Sequence, residues 1–413
     1  MAKKKKKAPS GKSPDVRKRI LNKTFIDKAC VAIKKILRAY GLDPDIFDRL
    51  SKTQRNVFIL TETDAPRFKV AEGSHMPRQL VEMINQSTHH FLRNNYYGDE
   101  SIGLTYLEMA TFGVTFYSQI LVVHDENDRG FPPEQMKIVD AIAEKFMAYS
   151  LYNALEAIGV HLRKSVQMIS KVNFRIYGYE WRIPSEYGRG YFKSTVFFYS
   201  EESEHIYFKY KNQFHKAFHV KAGRVNSHPF HGAEIDHRFI FPERFDEKFF
   251  DIYIQSHALH RIKERVDIFP AHKRNFYVMD TLLYMHRIVY NSHGRAMLEC
   301  YHDDVLFGYY PFTIQQNKIF ILSFLPVIAL DTPTGELIER RLHLQKEDTI
   351  YLGMDKLSFF FTVDFSQIPT LYNVLVEAKL KPLLDFDSED RFLFEHDPKK
   401  TLMVKKFFEQ SIK

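Results

Sequence analysis

Apolar residues first recur at helical spacing. Ile20, Leu21, Ile26, Cys30, Ile33 and Leu37 share one face, with Lys and Arg between them. A helix is predicted from Pro14 to a glycine stop at Gly41, and Leu42-Asp43-Pro44 marks a stop and restart. A short second helix is predicted over 45–50. Residues 56–61 stay open between helix and strand, and 79–94 is helical in pattern. Pro132-Pro133 opens another helix, in which Met136, Val139, Ile142, Ala143 and Phe146 form the apolar stripe. Residues 14–165 are therefore predicted as a mostly helical domain. Over 166–245 the pattern shifts to short runs rich in Tyr, Phe and His, such as 194–199 and 206–210, which predict a β-rich middle segment.

The pattern changes again after Asp246. A strand over 249–255 leads into a helix over 256–265. A break containing Pro270 follows, then a second helix over 272–289. Three strand runs, 296–301, 305–310 and 318–325, complete an expected two-helix, antiparallel-sheet domain over 246–366. Within it a turn is predicted at 331–335, a helix over 336–345 and a further strand over 357–365. Helices are expected from Pro369, making 367–413 a C-terminal helical segment. The fold class predicted is α+β.

A chain of 413 residues is expected to hold two or three domains. With 45% hydrophobic and 15% aromatic residues it is globular rather than disordered. Its net charge is +8 and the run Lys3 to Lys7 supplies much of the excess, so 1–13 reads as a flexible basic tail on a nearly balanced body. That balance favours an acidic partner such as nucleic acid. Cys30 and Cys300 have no metal or redox spacing, and a reducing compartment is expected. No secretory signal is visible. The apolar stretch 105–124 is broken by Glu108 and Gln119, which predicts a buried strand or helix pair rather than a membrane span. The expectation is a cytoplasmic protein without membrane contact or cofactor. Phosphate-loop, serine-elbow and zinc-finger spacings are absent from the sequence.

The candidate chemistry centres on Ser256-His257-Ala258-Leu259-His260-Arg261-Ile262-Lys263-Glu264-Arg265. On a helix His257, Arg261, Glu264 and Arg265 share an arc of roughly 100°, opposite Ala258, Leu259 and Ile262. Metal-free RNA cleavage needs a base for the 2′-hydroxyl, an acid for the leaving oxygen and cations for the phosphorane charge. His257 or Glu264 is the candidate base and His257 or His260 the candidate acid. Arg261 and Arg265 are the candidate phosphate holders. The same letters also describe a salt-bridged surface helix.

Arg163, Lys164, Lys171, Arg175 and Arg182, interleaved with Phe174, Tyr177, Tyr179 and Trp181, form the candidate nucleic-acid surface. Core aromatics flanked by Lys and Arg stems give the same text. A weaker metal alternative is His228, His231, Glu234 and His237, whose residue types suit first-row metals but whose spacing matches no known motif.

The strand followed by a His-Ala-x-x-Arg-x-x-Glu-Arg helix, a second helix and antiparallel strands resembles a family of small bacterial domains. These carry a His-Ala-x-x-Arg-x-x-x-Arg helix and look related to ribonuclease toxins of the BrnT and RelE type. The matching residues are Ser256, His257, Ala258, Arg261, Glu264 and Arg265, within 250–327. The resemblance implies a compact α+β domain that contacts RNA, cleaving it in some members. This chain departs from those stand-alone domains in its long preceding and following segments. The expected function is an RNA-interacting protein with a toxin-like domain, in its enzymatic form a metal-independent endoribonuclease. Alternatives are a non-catalytic interaction or assembly protein with a protein partner, and a metal-dependent hydrolase using the His228–His237 loop.

Overall fold

Helix α1 (Lys23–Ala39) buries Ala29, Ala32, Ile33, Ile36 and Leu37 along one stripe. Gly41, at φ +71°, ends it in a conformation that glycine adopts without strain. The computed structural model describes residues 23–59, 63–126, 130–148, 152–182, 192–223, 230–241, 243, 249–284, 286–302, 304–386 and 394–411. The basic run Lys3 to Lys7 and His228 lie outside the described residues. The protein is α+β, and its contacts divide it into two compact units.

The first unit takes in the described residues of 1–69, 77–162 and 181–197. After α1 come a 3-10 turn, Pro44–Arg49, capped by the Asp43 carboxylate, and α2 (Lys52–Ile59). Strand β1 (Thr63–Val70) and α3 (Arg78–Asn94) follow. The stretch 105–124 proves to be helical. A Thr105–Glu108 capping box opens α4 (Tyr106–Glu108), a π turn spans Met109–Gly113, and α5 (Val114–Glu126) continues it. Among the described residues Tyr106–Glu126 is the one helical stretch long and apolar enough to cross a membrane by length and composition. Its Phe116, Ile120 and Val123 are fully buried in the unit's core. They pack with Val139, Ile142, Ala143 and Phe146 of α6 (Pro133–Ala148).

Beyond α6 the chain forms α7 (Tyr152–Ile169), β2 (Arg175–Arg182) and β3 (Phe192–Glu202). β1, β3 and β2 make a three-stranded sheet in that order.

The second unit holds residues 70–76, 163–180 and the described part of 198–413. Its strands are β4 (His205–Tyr210), β5 (Gln213–His219), β6 (Lys221–Gly223), β7 (Phe230–Gly232), β8 (Glu234–Asp236) and β9 (Phe249–Gln255). Helices α8 (Ser256–Arg265) and α9 (Ala271–Tyr284) follow. Then come β10 (Ile288–Tyr290), β11 (Ala296–His302), β12 (Val305–Gln315), β13 (Lys318–Ile321) and β14 (Leu325–Pro326). The main sheet runs β10-β11-β12-β13-β9-β5-β4, with β8 also on β9 and β14 on β12. The expected all-antiparallel sheet is corrected on one point: β9 pairs with β13 in parallel, Ile252 opposite Ile319. The helix expected over 272–289 ends at Tyr284, because Ile288–Tyr290 pairs with β11 as an edge strand.

Strand alternation divides this sheet's two faces. Ile252, Ile254, Ile319 and Ile321 join the large core with Ala258 and Ile262 of α8. Tyr253, Phe320 and Leu322 face the other way, with Phe208 and Ala217. Short helices close the chain: α10 (Pro333–Leu342), α11 (Lys346–Tyr351), α12 (Phe359–Thr362), α13 (Pro369–Glu377), α14 (Lys381–Leu384) and α15 (Pro398–Ser411). The strand expected over 357–365 is thus a helical turn. Phe359, Phe360 and Phe361 are all buried, and a short apolar run does not by itself separate the two states.

Candidate functional site

α8 begins where β9 ends. Its N-cap Gln255 makes no side-chain cap, so the helix's positive end keeps N–H groups for another acceptor. Ala258 and Ile262 anchor the inner face. On the outer face Arg261 Nε donates to His257 Nε2 at 3.4 Å, and its Nη1 donates to Glu264 Oε2 at 2.8 Å. His260 Nε2 lies 3.0 Å from Glu264 Oε1 and is 66% exposed. The hydrogen bond from Arg261, followed by the influence of His260, holds the Glu264 carboxyl below its ordinary value. Glu264 is therefore a weak candidate base, and His260 is occupied with it on an open surface. Partial burial and then the Arg261 charge lower the His257 pKa, which keeps the imidazole neutral near pH 7.

His257 lines an open hollow of about 490 Å³ together with Tyr210, Lys211, Gln213, His215, Gln255, Arg295, Leu322 and Ser323. No carboxylate lines it. Lys211 and Asn212 form the β4–β5 turn with φ of 47° and 63°, which delivers Lys211 and His215 to the rim. Gln255 Nε2 is 2.6 Å from His215 Nδ1, a contact that fixes the ring and leaves Nε2 to the hollow. Arg295 is also tied to Asp331 at 3.1 Å. Two imidazoles, two cations and an uncapped helix start are thus gathered where an anion can enter.

Arg265 belongs elsewhere. It lines a second hollow of about 340 Å³ with Asp331, Lys346, Thr349 and Asp355. Its Nη1 donates to the Phe324 carbonyl at 2.6 Å, and burial pulls its pKa below the usual guanidinium value. The five residues expected to act together on α8 are therefore divided. His257 and Arg265 serve different hollows, while His260, Arg261 and Glu264 form a surface ion-pair chain.

The aromatic-basic segment does not form one surface. Tyr177 and Tyr179 are buried, since Ile176 to Tyr179 of β2 is covered on both faces. Arg163 lies over the Tyr284 ring at 5.1 Å and Lys164 over Phe276 at 5.7 Å. Arg175 stacks on exposed Phe174 and pairs with Glu202 at 3.2 Å. Lys171 takes part in a backbone bridge to Arg175. Arg182 covers Phe197 at 4.7 Å, in the other unit.

The metal alternative fares no better. Among the described residues no group of three or more His, Cys, Asp or Glu could hold a metal ion. His231 is in β7 and Glu234 in β8. His237 is buried, next to an Asp236 held down to about 2 chiefly by its Arg238 fork.

His215, Lys211 and Arg295 were missed by the sequence reading. The usable signal was the Lys211-Asn212 turn between two aromatic runs; Arg295 lies too far away in sequence to be linked to them. Comparison with family models, curated proteins and solved structures gives no match.

Proposed function

We propose that this protein binds RNA in the hollow beside the start of α8 and cleaves it without a metal. One observation supports the reading above others: His215, His257, Lys211 and Arg295 share a hollow with no carboxylate in its lining. Neutral His257 takes the proton of a 2′-hydroxyl at Nε2, displacing the long contact from Arg261, as the hydroxyl oxygen attacks phosphorus. His215 is the candidate acid, returning a proton to the departing 5′-oxygen as the P–O5′ bond breaks. Lys211, Arg295 and the α8 N–H groups stabilise the added negative charge. The resemblance to BrnT- and RelE-type toxins supports the same class of substrate, and the cytoplasm is the compartment in which it would be met.

The test is cleavage of single-stranded RNA by purified full-length protein. His257→Ala and His215→Ala should each lower the rate by about 10²-fold. Chelator should change nothing, and products should end in 2′,3′-cyclic phosphate. Wild-type protein that binds RNA and leaves it intact would replace this reading with a non-catalytic RNA-binding role. Cleavage that survives both substitutions would place the site elsewhere.

A further inference from the structure

Along β4 and β5 the helix-covered face of the main sheet runs out past its cover. On β9 that face is Ile252 and Ile254, fully buried against α8. Across the register Ile254 sits opposite Phe218. The hairpin then presents the cross-strand pairs His205–Phe218, Tyr207–Lys216 and Lys209–Phe214 on the same face. Phe218 still belongs to the core, but Tyr207 is 64% and Phe214 76% exposed. The opposite face carries Phe208 and Ala217, both buried, with Phe208 stacked on Phe320 at 4.1 Å. That packing fixes which side of the hairpin faces outward, because a one-residue slip would exchange the two sets.

Rings and cations alternate on the outward face. The Lys216 ammonium lies 5.0 Å over the Phe218 ring, and the His205 and Tyr207 rings are 5.9 Å apart. Lys209 is exposed beside Phe214. No Asp or Glu occurs in the sequence from His205 to Ala233. Exposed Tyr and Phe suit a protein partner as well, but lysine is depleted at such interfaces. Flat rings set among lysines without acids complement a polyanion that carries flat rings of its own. Tyr207 and Phe214 are diagonal neighbours, about 7–8 Å apart by strand geometry, so each can take a separate base.

We propose that this face is a stacking platform for unpaired bases. Tyr207 and Phe214 carry the bases, and Lys209 and Lys216 contact the phosphates. The inference deepens the RNA reading by restricting the ligand to single strands, and it rests on that reading for the identity of the polymer. The turn end of the same hairpin supplies Lys211 and His215 to the hollow, which opens on the sheet's other face because His215 lies opposite Phe208, so the platform and the hollow are separate contact areas.

The test uses full-length protein, a short oligothymidylate and an abasic strand of equal length and charge. Neither can be cleaved through a 2′-hydroxyl, so binding is measured apart from cleavage. Wild type should bind the base-bearing strand at least about tenfold more tightly. Tyr207→Ala/Phe214→Ala should erase that ratio and leave abasic binding within about twofold, because the phosphate contacts remain. Equal wild-type affinities, or a ratio that survives the double substitution, would overturn the proposal. So would loss of self-association by the double variant with the ratio intact, which would make the face a contact between copies. Cyclic-phosphate release from an RNA is scored separately. Strands held by these rings but never cleaved would refute the cleavage reading alone.

Discussion

Two segments are written in nearly the same residues: Phe174 to Arg182, and His205 to Lys216. The first has Tyr177, Tyr179, Trp181 and two arginines; the second has Tyr207, Phe208, Tyr210, Phe214 and three lysines. Four successive positions of β2 are buried, whereas β4 alternates exposed and covered positions. The cause is what lies against the outer face. A Cβ added to Gly223 of β6 would sit 2.1 Å from the Gly178 Cα, so a second strand's backbone closes onto β2 through two glycines. β4 is the last strand of its sheet, and its outward rings stay in solvent. Aromatic and basic content therefore does not identify a binding surface; the neighbour of the strand decides it.

The comparison breaks most readily on stability. Tyr179→Ala should lower the unfolding free energy by about 3–5 kcal/mol, as for other large buried side chains. Tyr207→Ala should stay within about 0.5 kcal/mol. Urea denaturation of both variants reads the contrast, and equal losses would remove it. Gly223→Ala comes next. A methyl group forced against the Gly178 backbone should cost about 1–3 kcal/mol, and a neutral result would mean that the close approach is not what covers β2.

Smaller effects sharpen the contrast. Lys209→Gln and Lys216→Gln should each reduce the salt slope of single-strand binding by about 0.7, one phosphate contact apiece. Arg163→Gln and Lys164→Gln, whose cations lie over Tyr284 and Phe276, should leave the slope alone. The smallest effect is in the pH profile. His257 is held below the ordinary imidazole value of 6.5, so it remains a neutral base as pH falls through that value. The acid limb of cleavage should therefore have its midpoint below pH 6.5, and a midpoint at or above it would assign the base to another group.

Much of the local structure was legible. Strand β9 and helix α8 fall at 249–255 and 256–265 as read, because the apolar period switches sharply at Gln255. The α1 stripe and its Gly41 stop were equally plain. Apolar runs without a period were not. The helical turn over Phe359–Thr362 reads as a strand, and the change from α9 to β10 is set by the pairing of Ile288 with Leu298. The site was half legible. Periodicity put His257 and Arg265 on one helix face, but one helix can border two hollows. Which residues from β5 and the turn before β11 join His257 is a matter of sheet order, which local spacing does not carry.

The parallel pairing of β9 with β13 also sets a timetable. A ribosome delivers β5, β9 and α8 early, but α9, β10, β11 and β12 must all emerge before β13 can dock. Leu322 and Ser323, which close the hollow around His257, arrive just after it. Until then one edge of β9 is open, which is the kind of surface that nascent-chain chaperones bind. The order has a further effect: the hollow cannot be complete until Ser323 has been translated.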